Sequence, residues 1–150
     1  MGRWLRMLYW RLRGVQIGPG CTIGQHVEIG NDVVLQERVR IGDWCVIGSG
    51  VVMKCGATLT AHTKVGDGAM IGPYAVAVGV RYRESRGPAT VIGKNVRVGA
   101  GAIILAGIRV CDGATIGANS VVNYHCPFPG LYAGVPADKK VKSAKSRRTS

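Results

Sequence analysis

Histidine side chains are the groups in this sequence best suited to acid–base chemistry. The chain contains three of them, His26, His62 and His125, and imidazole is the side chain whose unperturbed pKa permits proton exchange near neutral pH. His26 and His62 are 36 residues apart, and Trp44 lies midway between them. A structural repeat of 18 residues therefore predicts that these three rings share one column.

The cysteines do not indicate a metal or disulfide site. Their number, five, is odd, and no Cys-x-x-Cys or Cys/His spacing typical of zinc ligands occurs. His26 and His62 are also too widely spaced to share a zinc ion, since two stacked strand spacings amount to about 10 Å. We expect no metal, and this cysteine usage fits a reduced compartment.

The net charge of +12 is concentrated at the two ends of the chain. Residues 1–13 contribute four arginines and no acid, and residues 138–150 contribute six basic residues and one acid. The balanced charge between them, without an aromatic–basic recognition motif, argues against a nucleic-acid partner. Arginines interrupt the apolar N-terminus, so we expect a cytoplasmic protein without a signal peptide or a spanning helix.

A hexapeptide repeat dominates the chain. An aliphatic residue returns at every sixth position, and glycine often follows it. A period of six fits neither a helix nor a long alternating strand, so each unit is predicted to be a short strand and a turn. Three units close a triangular coil of about 18 residues, stacked on the next at about 4.8 Å. The repeated positions are Ile17, Ile23, Ile29, Leu35, Ile41, Ile47, Met53, Leu59, Val65 and Ile71, then Ile92, Val98, Ile104, Val110, Ile116 and Val122.

This pattern divides the chain into four parts. Residues 14–126 are predicted to form the solenoid, with an inserted loop near 77–91 where the repeat breaks. Residues 127–141 form a closing loop, and residues 142–150 form a basic tail. Residues 1–13 are predicted to form an amphipathic helix that caps the first coil, because a solenoid must cover its terminal ladder.

The predicted helix has an apolar face opposite most of its arginines. Two roles are open for this face: a plain cap or subunit contact, and peripheral contact of residues 3–13 with the inner face of an anionic membrane. Its apolar members are Trp4, Leu5, Leu8, Tyr9 and Leu12.

The repeats resemble the bacterial hexapeptide transferases. Residues 116–122 (IGANSVV) and 133–137 (AGVPA) are similar to that family's final coil and closing segment, and the resemblance covers about residues 14–141. It implies an all-β fold, a left-handed parallel β-helix, assembled as a homotrimer. It also implies transfer of acetyl from acetyl-CoA, bound between subunits, to a sugar hydroxyl or amine in polysaccharide, glycan or small-molecule biosynthesis.

The resemblance also assigns coenzyme contacts. Ala100 and Ala118 occupy turn positions whose backbone binds the pantetheine amides. Two positions that are usually basic in the family are Tyr124, preceded by Asn123, and Asp138. We therefore expect nearby basic residues to bind the phosphates of the coenzyme. The candidate residues for this end of the coenzyme are Arg97, Arg109, Asn123, Tyr124, Lys139 and Lys140.

The catalytic base of the family is a histidine at the start of the inserted loop, and this chain has none between Gly72 and Cys111. Tyr82 stands in its place. A tyrosine with a pKa of about 10 is a poor base unless neighbouring arginines lower that pKa. His62, one coil below the loop, is the other candidate base. A non-catalytic scaffold or regulatory subunit remains the alternative.

Overall fold

The computed structural model describes residues 2–79 and 87–141. They form a parallel β-solenoid of about 6 coils, roughly 18 residues apart, preceded by one short helix, α1 (Arg3–Leu12). The solenoid predicted from the hexapeptide repeat is therefore confirmed. Within the described ranges, no helix has the length and apolar character needed to cross a bilayer. The predicted basic tail, residues 142–150, lies outside these ranges.

Nineteen short strands follow α1 in the described part of the chain, and most consist of two residues. They are β1 (Gln16–Ile17), β2 (Thr22–Ile23), β3 (Glu28–Ile29), β4 (Val34–Leu35), β5 (Arg40–Ile41), β6 (Val46–Ile47), β7 (Val52–Met53), β8 (Thr58–Leu59), β9 (Thr63–Val65), β10 (Met70–Ile71), β11 (Val76–Ala77), β12 (Thr90–Ile92), β13 (Arg97–Val98), β14 (Ile103–Ile104), β15 (Arg109–Val110), β16 (Thr115–Ile116), β17 (Val121–Val122), β18 (Leu131–Ala133) and β19 (Asp138–Lys139).

The strands build the three faces of a prism. Sheet A runs in the order β1-β4-β7-β10-β13-β16-β18-β19, sheet B contains β2, β5, β8, β11, β14 and β17, and sheet C contains β3, β6, β9, β12 and β15. Every pairing is parallel except that of β18 with β19. Each turn of the chain therefore contributes one strand to each face.

The register of these pairings locates the insertion. Paired residues are 18 apart in the early coils, as for Gln16 and Val34, but 27 apart across the break, as for Met70 and Arg97. The chain therefore gains nine residues between β11 and β12, where the sequence predicted a loop near 77–91.

The repeated aliphatic residues form a continuous core along the prism axis. All of them from Ile29 onward are buried, while Ile17 and Ile23 in the first coil are only partly buried. Since the first coil has no coil beneath it, its inward side chains lack contacts on one side. This end of the core consequently needs a cover.

The first coil also exposes a row of backbone carbonyls. In the next coil, the carbonyl of Ile41 accepts a hydrogen bond from the N–H of Gly24 at 2.8 Å. The equivalent carbonyls of Ile23 and Ile29 have no preceding coil to pair with. Such an edge requires donors from elsewhere in the chain.

Two arginines provide those donors. Arg6 donates from Nη1 to the carbonyl of Gly24 at 3.1 Å and from Nη2 to that of Ile23 at 3.4 Å. Arg13 donates from Nη1 to the carbonyl of Ile29 at 3.1 Å. Arginine suits this edge because its guanidinium group carries five donors and no acceptor.

Helix α1 therefore packs through a face other than the predicted one. Trp10 is 3% exposed and joins the core, and the Arg6 guanidinium lies 5.0 Å from the centroid of its ring. The apolar face predicted to cap the coil is exposed instead, and it comprises Trp4, Leu5, Leu8, Tyr9 and Leu12. The helix caps the first coil as predicted, but burial of its apolar face, one of the roles left open for it, is wrong because the arginine side of the helix hydrogen-bonds the carbonyl edge.

Replacing Trp10 with Ala should lower the free energy of unfolding by about 3–5 kcal/mol, since it removes a buried indole ring. Trp4→Ala is the matched control: Trp4 is 80% exposed, and its loss should change stability by less than about 0.5 kcal/mol. Urea denaturation of both variants measures the difference. Equal losses of stability would show that α1 does not cover the coil through Trp10.

Candidate active site

Two stacked alanines mark one corner of the prism. We call the turns that lead from sheet A to sheet B the A/B corner, and Ala100 and Ala118 occupy the same position there in successive coils. Both are exposed, and the N–H of Asn119 donates to the carbonyl of Ala100 at 2.8 Å. A Cβ on Gly99 would lie 2.5 Å from the nitrogen of Ala118. The corner therefore exposes backbone with little side-chain cover.

The closing segment, residues 127–141, folds back onto this corner. The N–H of Gly134 donates to Ser120 Oγ at 3.1 Å, and the carbonyl of Gly134 accepts from the N–H of Val121 at 3.1 Å. The N–H of Ala137 then donates to the carbonyl of Val121 at 2.8 Å. These bonds place the segment beside Ala118, so the final coil and closing segment form one surface.

Three predicted basic residues lie on the sheet A side of that surface. Arg97 points outward from β13 and is exposed. Lys139 lies on β19, paired with Tyr132 of β18, and the N–H of Lys140 donates to the carbonyl of Leu131 at 2.7 Å. Positive charge therefore lines the last strands of sheet A, next to the A/B corner.

Tyr124 and Asp138, the two positions that depart from the basic pattern, contact each other. The Tyr124 hydroxyl donates to Asp138 Oδ1 at 3.0 Å. Loss of solvation raises the pKa of Tyr124, and the Asp138 carboxylate raises it further. Tyr124 is consequently a neutral donor at physiological pH. Asn123, also exposed, directly follows β17.

Arg109 is not brought together with the other basic residues. It points outward from β15 in sheet C, and its backbone N–H donates to His125 Nδ1 at 3.0 Å. Both residues line a groove of about 630 Å³, the sheet C groove, together with Val91, Gly93, Val110, Cys111, Asp112, Cys126 and Pro127. Sequence reasoning missed this groove.

The sequence did not predict this groove because the register of the last coil differs from that of the earlier coils. Cys126 bridges to Val110, 16 residues earlier, so the last coil is two residues short and a strict repeat of 18 misplaces His125. The buried Cys126 is no nucleophile at neutral pH, because burial and the nearby Cys111 raise its pKa to about 11. A thiol with that pKa stays protonated.

The aromatic column predicted from the spacing of 18 is confirmed. The rings of His26 and Trp44 stack at a centroid distance of 4.0 Å and an angle of 13°, and those of Trp44 and His62 at 6.3 Å and 1°. His62 is exposed at the corner between sheets B and C, the B/C corner. In the described residues, no three His, Cys, Asp or Glu side chains lie close enough together to hold a metal ion.

The inserted loop starts directly above His62. The N–H of Gly79 donates to Thr60 Oγ1, and a side chain on Gly79 would collide with the carbonyl of Ala61. His62 follows Ala61, so it lies one coil below the start of the loop, as predicted. Tyr82, the other candidate base, falls outside the described residues.

The candidate base and the alanines do not meet within one chain. His62 lies at the B/C corner and Ala118 at the A/B corner, which are the two ends of sheet B. A centre that uses both groups therefore needs a second copy of the chain.

Comparison with known proteins agrees with this fold. The family model for the bacterial transferase hexapeptide (six repeats) matches residues 20–55 and 89–124. The chain therefore matches the hexapeptide-repeat acyltransferases, as its repeats predicted. Curated proteins show no significant match to it.

Several similar solved structures are acyltransferases. The acetyltransferase domain of PglB from Neisseria gonorrhoeae, solved with acetyl coenzyme A, has 26% identity and a TM-score of 0.76, over 92% of this chain and 64% of that one. PerB from Caulobacter crescentus, in complex with CoA and GDP-perosamine, has 23% identity and a TM-score of 0.75, over 93% and 66%.

AntD, an N-acyltransferase from Bacillus cereus solved with dTDP and coenzyme A, has 15% identity and a TM-score of 0.67, over 97% of this chain and 90% of that one. At these identities, PerB and AntD support the fold alone. The hexapeptide-repeat chain spans about two thirds of the length of PglB's domain and of PerB.

Proposed function

We propose that this protein transfers acetyl from acetyl-CoA to a hydroxyl or amine of a sugar, within polysaccharide, glycan or small-molecule biosynthesis in the cytoplasm. The observation that carries the proposal is the A/B corner, where exposed Ala100 and Ala118 lie beside the positive charge of sheet A. The similarity to the PglB domain, which binds acetyl coenzyme A, supports the same donor.

The corner suits the two ends of the coenzyme. Small side chains at Ala100 and Ala118 let the pantetheine arm approach the backbone amides, which can hydrogen-bond its own amides. Arg97, Lys139 and Lys140 then supply positive charge for the phosphates, with Asn123 as a neutral donor. Tyr124 is a weaker candidate, because its one hydroxyl proton is donated to Asp138. Arg109 is the weakest member of the predicted set, because it faces the sheet C groove.

We propose a homotrimer with the coenzyme between subunits. Sheet A presents Val34, Val52 and Met70 outward in consecutive strands, and sheet B presents Val76, Ile103 and Val121. Sheets A and B each also present one outward arginine, Arg97 and Arg40, whereas sheet C presents three charged residues, Glu28, Lys64 and Arg109, around Val46 and Val91. Apolar outward faces favour contact between copies through sheets A and B. This contact would bring one subunit's A/B corner towards its neighbour's B/C corner.

The reaction requires a nucleophile from the acceptor and a sink for its proton. The acceptor oxygen or nitrogen bonds to the thioester carbonyl carbon, the C–S bond breaks, and the coenzyme thiolate takes up a proton. A hydroxyl acceptor needs a general base as it attacks, for which we propose His62 or Tyr82. A neutral amine is nucleophilic before it loses its proton, so it depends less on this base.

Acetyl-CoA should bind in calorimetric titration with a micromolar Kd. Ala118→Trp should weaken binding at least about tenfold, because the indole fills the space needed by the pantetheine arm. Glu37→Trp is the matched control: it puts the same ring at the same corner position in a coil far from the closing segment, and it should leave the Kd unchanged. Absence of binding at millimolar acetyl-CoA would contradict the transferase and support the non-catalytic alternative.

His62→Ala should lower kcat with a hydroxyl acceptor by about 10²–10⁴-fold if the imidazole is the base. Tyr82→Phe is the parallel variant for the loop tyrosine. Steady-state assays that follow release of the coenzyme thiol, with the Kd for acetyl-CoA as a control for folding, distinguish the two residues. Unchanged turnover in a variant would remove that residue from the mechanism.

A further inference from the structure

Helix α1 carries an apolar stripe that nothing in the described chain covers. The stripe comprises Trp4, Leu5, Leu8 and Leu12, spaced so that all four fall on one side of the helix. Trp4 is 80% exposed and Leu12 is 81% exposed, and the two leucines between them are about half exposed. Contiguous exposed apolar side chains of this kind mark an interaction surface.

The stripe cannot turn inward without breaking the cap of the first coil. Trp10 is buried on the opposite side of α1, and Arg6 is fixed by the carbonyls of Ile23 and Gly24. Arg13, at the end of the helix, is fixed by the carbonyl of Ile29. The same contacts that close the solenoid therefore hold the apolar stripe outward.

Positive charge borders the stripe. Residues 1–13 contain four arginines and no acidic residue, and two of these arginines, Arg6 and Arg13, are held by carbonyls of the first coil. Arg11 is exposed and, with Trp4 and Met7, lines a cavity of about 550 Å³ between the helix and the first coil. An arginine and an indole at the edge of an apolar stripe fit the boundary between lipid headgroups and acyl chains.

We propose that α1 docks the protein on the surface of an anionic lipid bilayer. The stripe would enter the boundary between headgroups and acyl chains, and Arg11 would contact lipid phosphates. A bilayer fits better than a protein partner, because four side chains on one helix are far fewer than the 20–30 residues a side of a stable protein interface. The inference concerns α1 alone and does not rest on the acetyl transfer proposed for the other end of the prism.

Vesicle sedimentation with the full chain tests the proposal. Vesicles of phosphatidylcholine mixed with phosphatidylglycerol should bind the protein at least about tenfold more tightly than phosphatidylcholine alone, and added salt should weaken that binding. Trp4→Glu and Leu12→Glu should each reduce binding at least about tenfold, since a carboxylate enters the apolar stripe. Both positions are exposed, so neither variant should unfold the protein.

Val141→Glu is the matched control, because it places the same charge at an exposed apolar residue near the other end of the chain, where Val141 is 86% exposed. It should bind vesicles like the unchanged protein. The proposal is overturned if Trp4→Glu and Leu12→Glu also bind unchanged, if no vesicle binds the protein, or if the two variants lower the oligomeric mass in sedimentation, which would make the stripe a contact between copies. The Kd for acetyl-CoA should stay the same in Trp4→Glu and Leu12→Glu, so a failure here is distinguishable from a failure of the transferase.

Discussion

Hydrogen bonds between successive coils determine where every candidate functional side chain lies. Because paired residues are 18 apart through most of the solenoid, the face or corner of a residue follows from its number. The register changes in two places, to 27 residues at the inserted loop and to 16 in the last coil. Ala100 and Ala118 keep the spacing of 18, so the repeat stacks the candidate site, and the two register changes add the inserted loop and the closing segment to it.

The same hydrogen bonds leave the prism with two open ends, and the chain closes each end differently. The first coil lacks donors for its outer carbonyls, so Arg6 and Arg13 cap it and bury Trp10. The last coil is closed by residues 127–141, which return antiparallel as β19. Each closure exposes a feature with a proposed function: the apolar stripe of α1 at one end, and basic residues beside the A/B corner at the other.

Sequence periodicity predicted most of the fold, because each hexapeptide has one inward aliphatic residue whatever its neighbours are. It also predicted the column of His26, Trp44 and His62, which depends only on the count of 18. It did not predict the orientation of α1. Hydrophobic patterning alone predicts that the leucine face of α1 is buried. In the structure, the arginine face packs on the first coil instead and donates hydrogen bonds to its carbonyls. The periodicity did not predict the sheet C groove either, because the short last coil shifts His125 out of the 18-residue repeat.

The candidate site resembles the family pattern at some positions and differs from it at others. By the sequence resemblance, Ala100, Ala118 and the closing segment match the family's final coil, whereas the two positions that the resemblance predicts to be basic are the hydrogen-bonded pair of Tyr124 and Asp138. This pair leaves the final turn without the expected positive charge, so among the described residues Arg97, Lys139 and Lys140 are our candidates for the phosphates. The phosphate end of the coenzyme would therefore shift towards sheet A.

A crystal structure of the protein with bound coenzyme A tests this placement most directly. The expected result is a pantetheine arm along Ala100 and Ala118 between two subunits, with its phosphates near Arg97, Lys139 or Lys140. Coenzyme bound in the sheet C groove, against Arg109 and His125 of a single subunit, would contradict it.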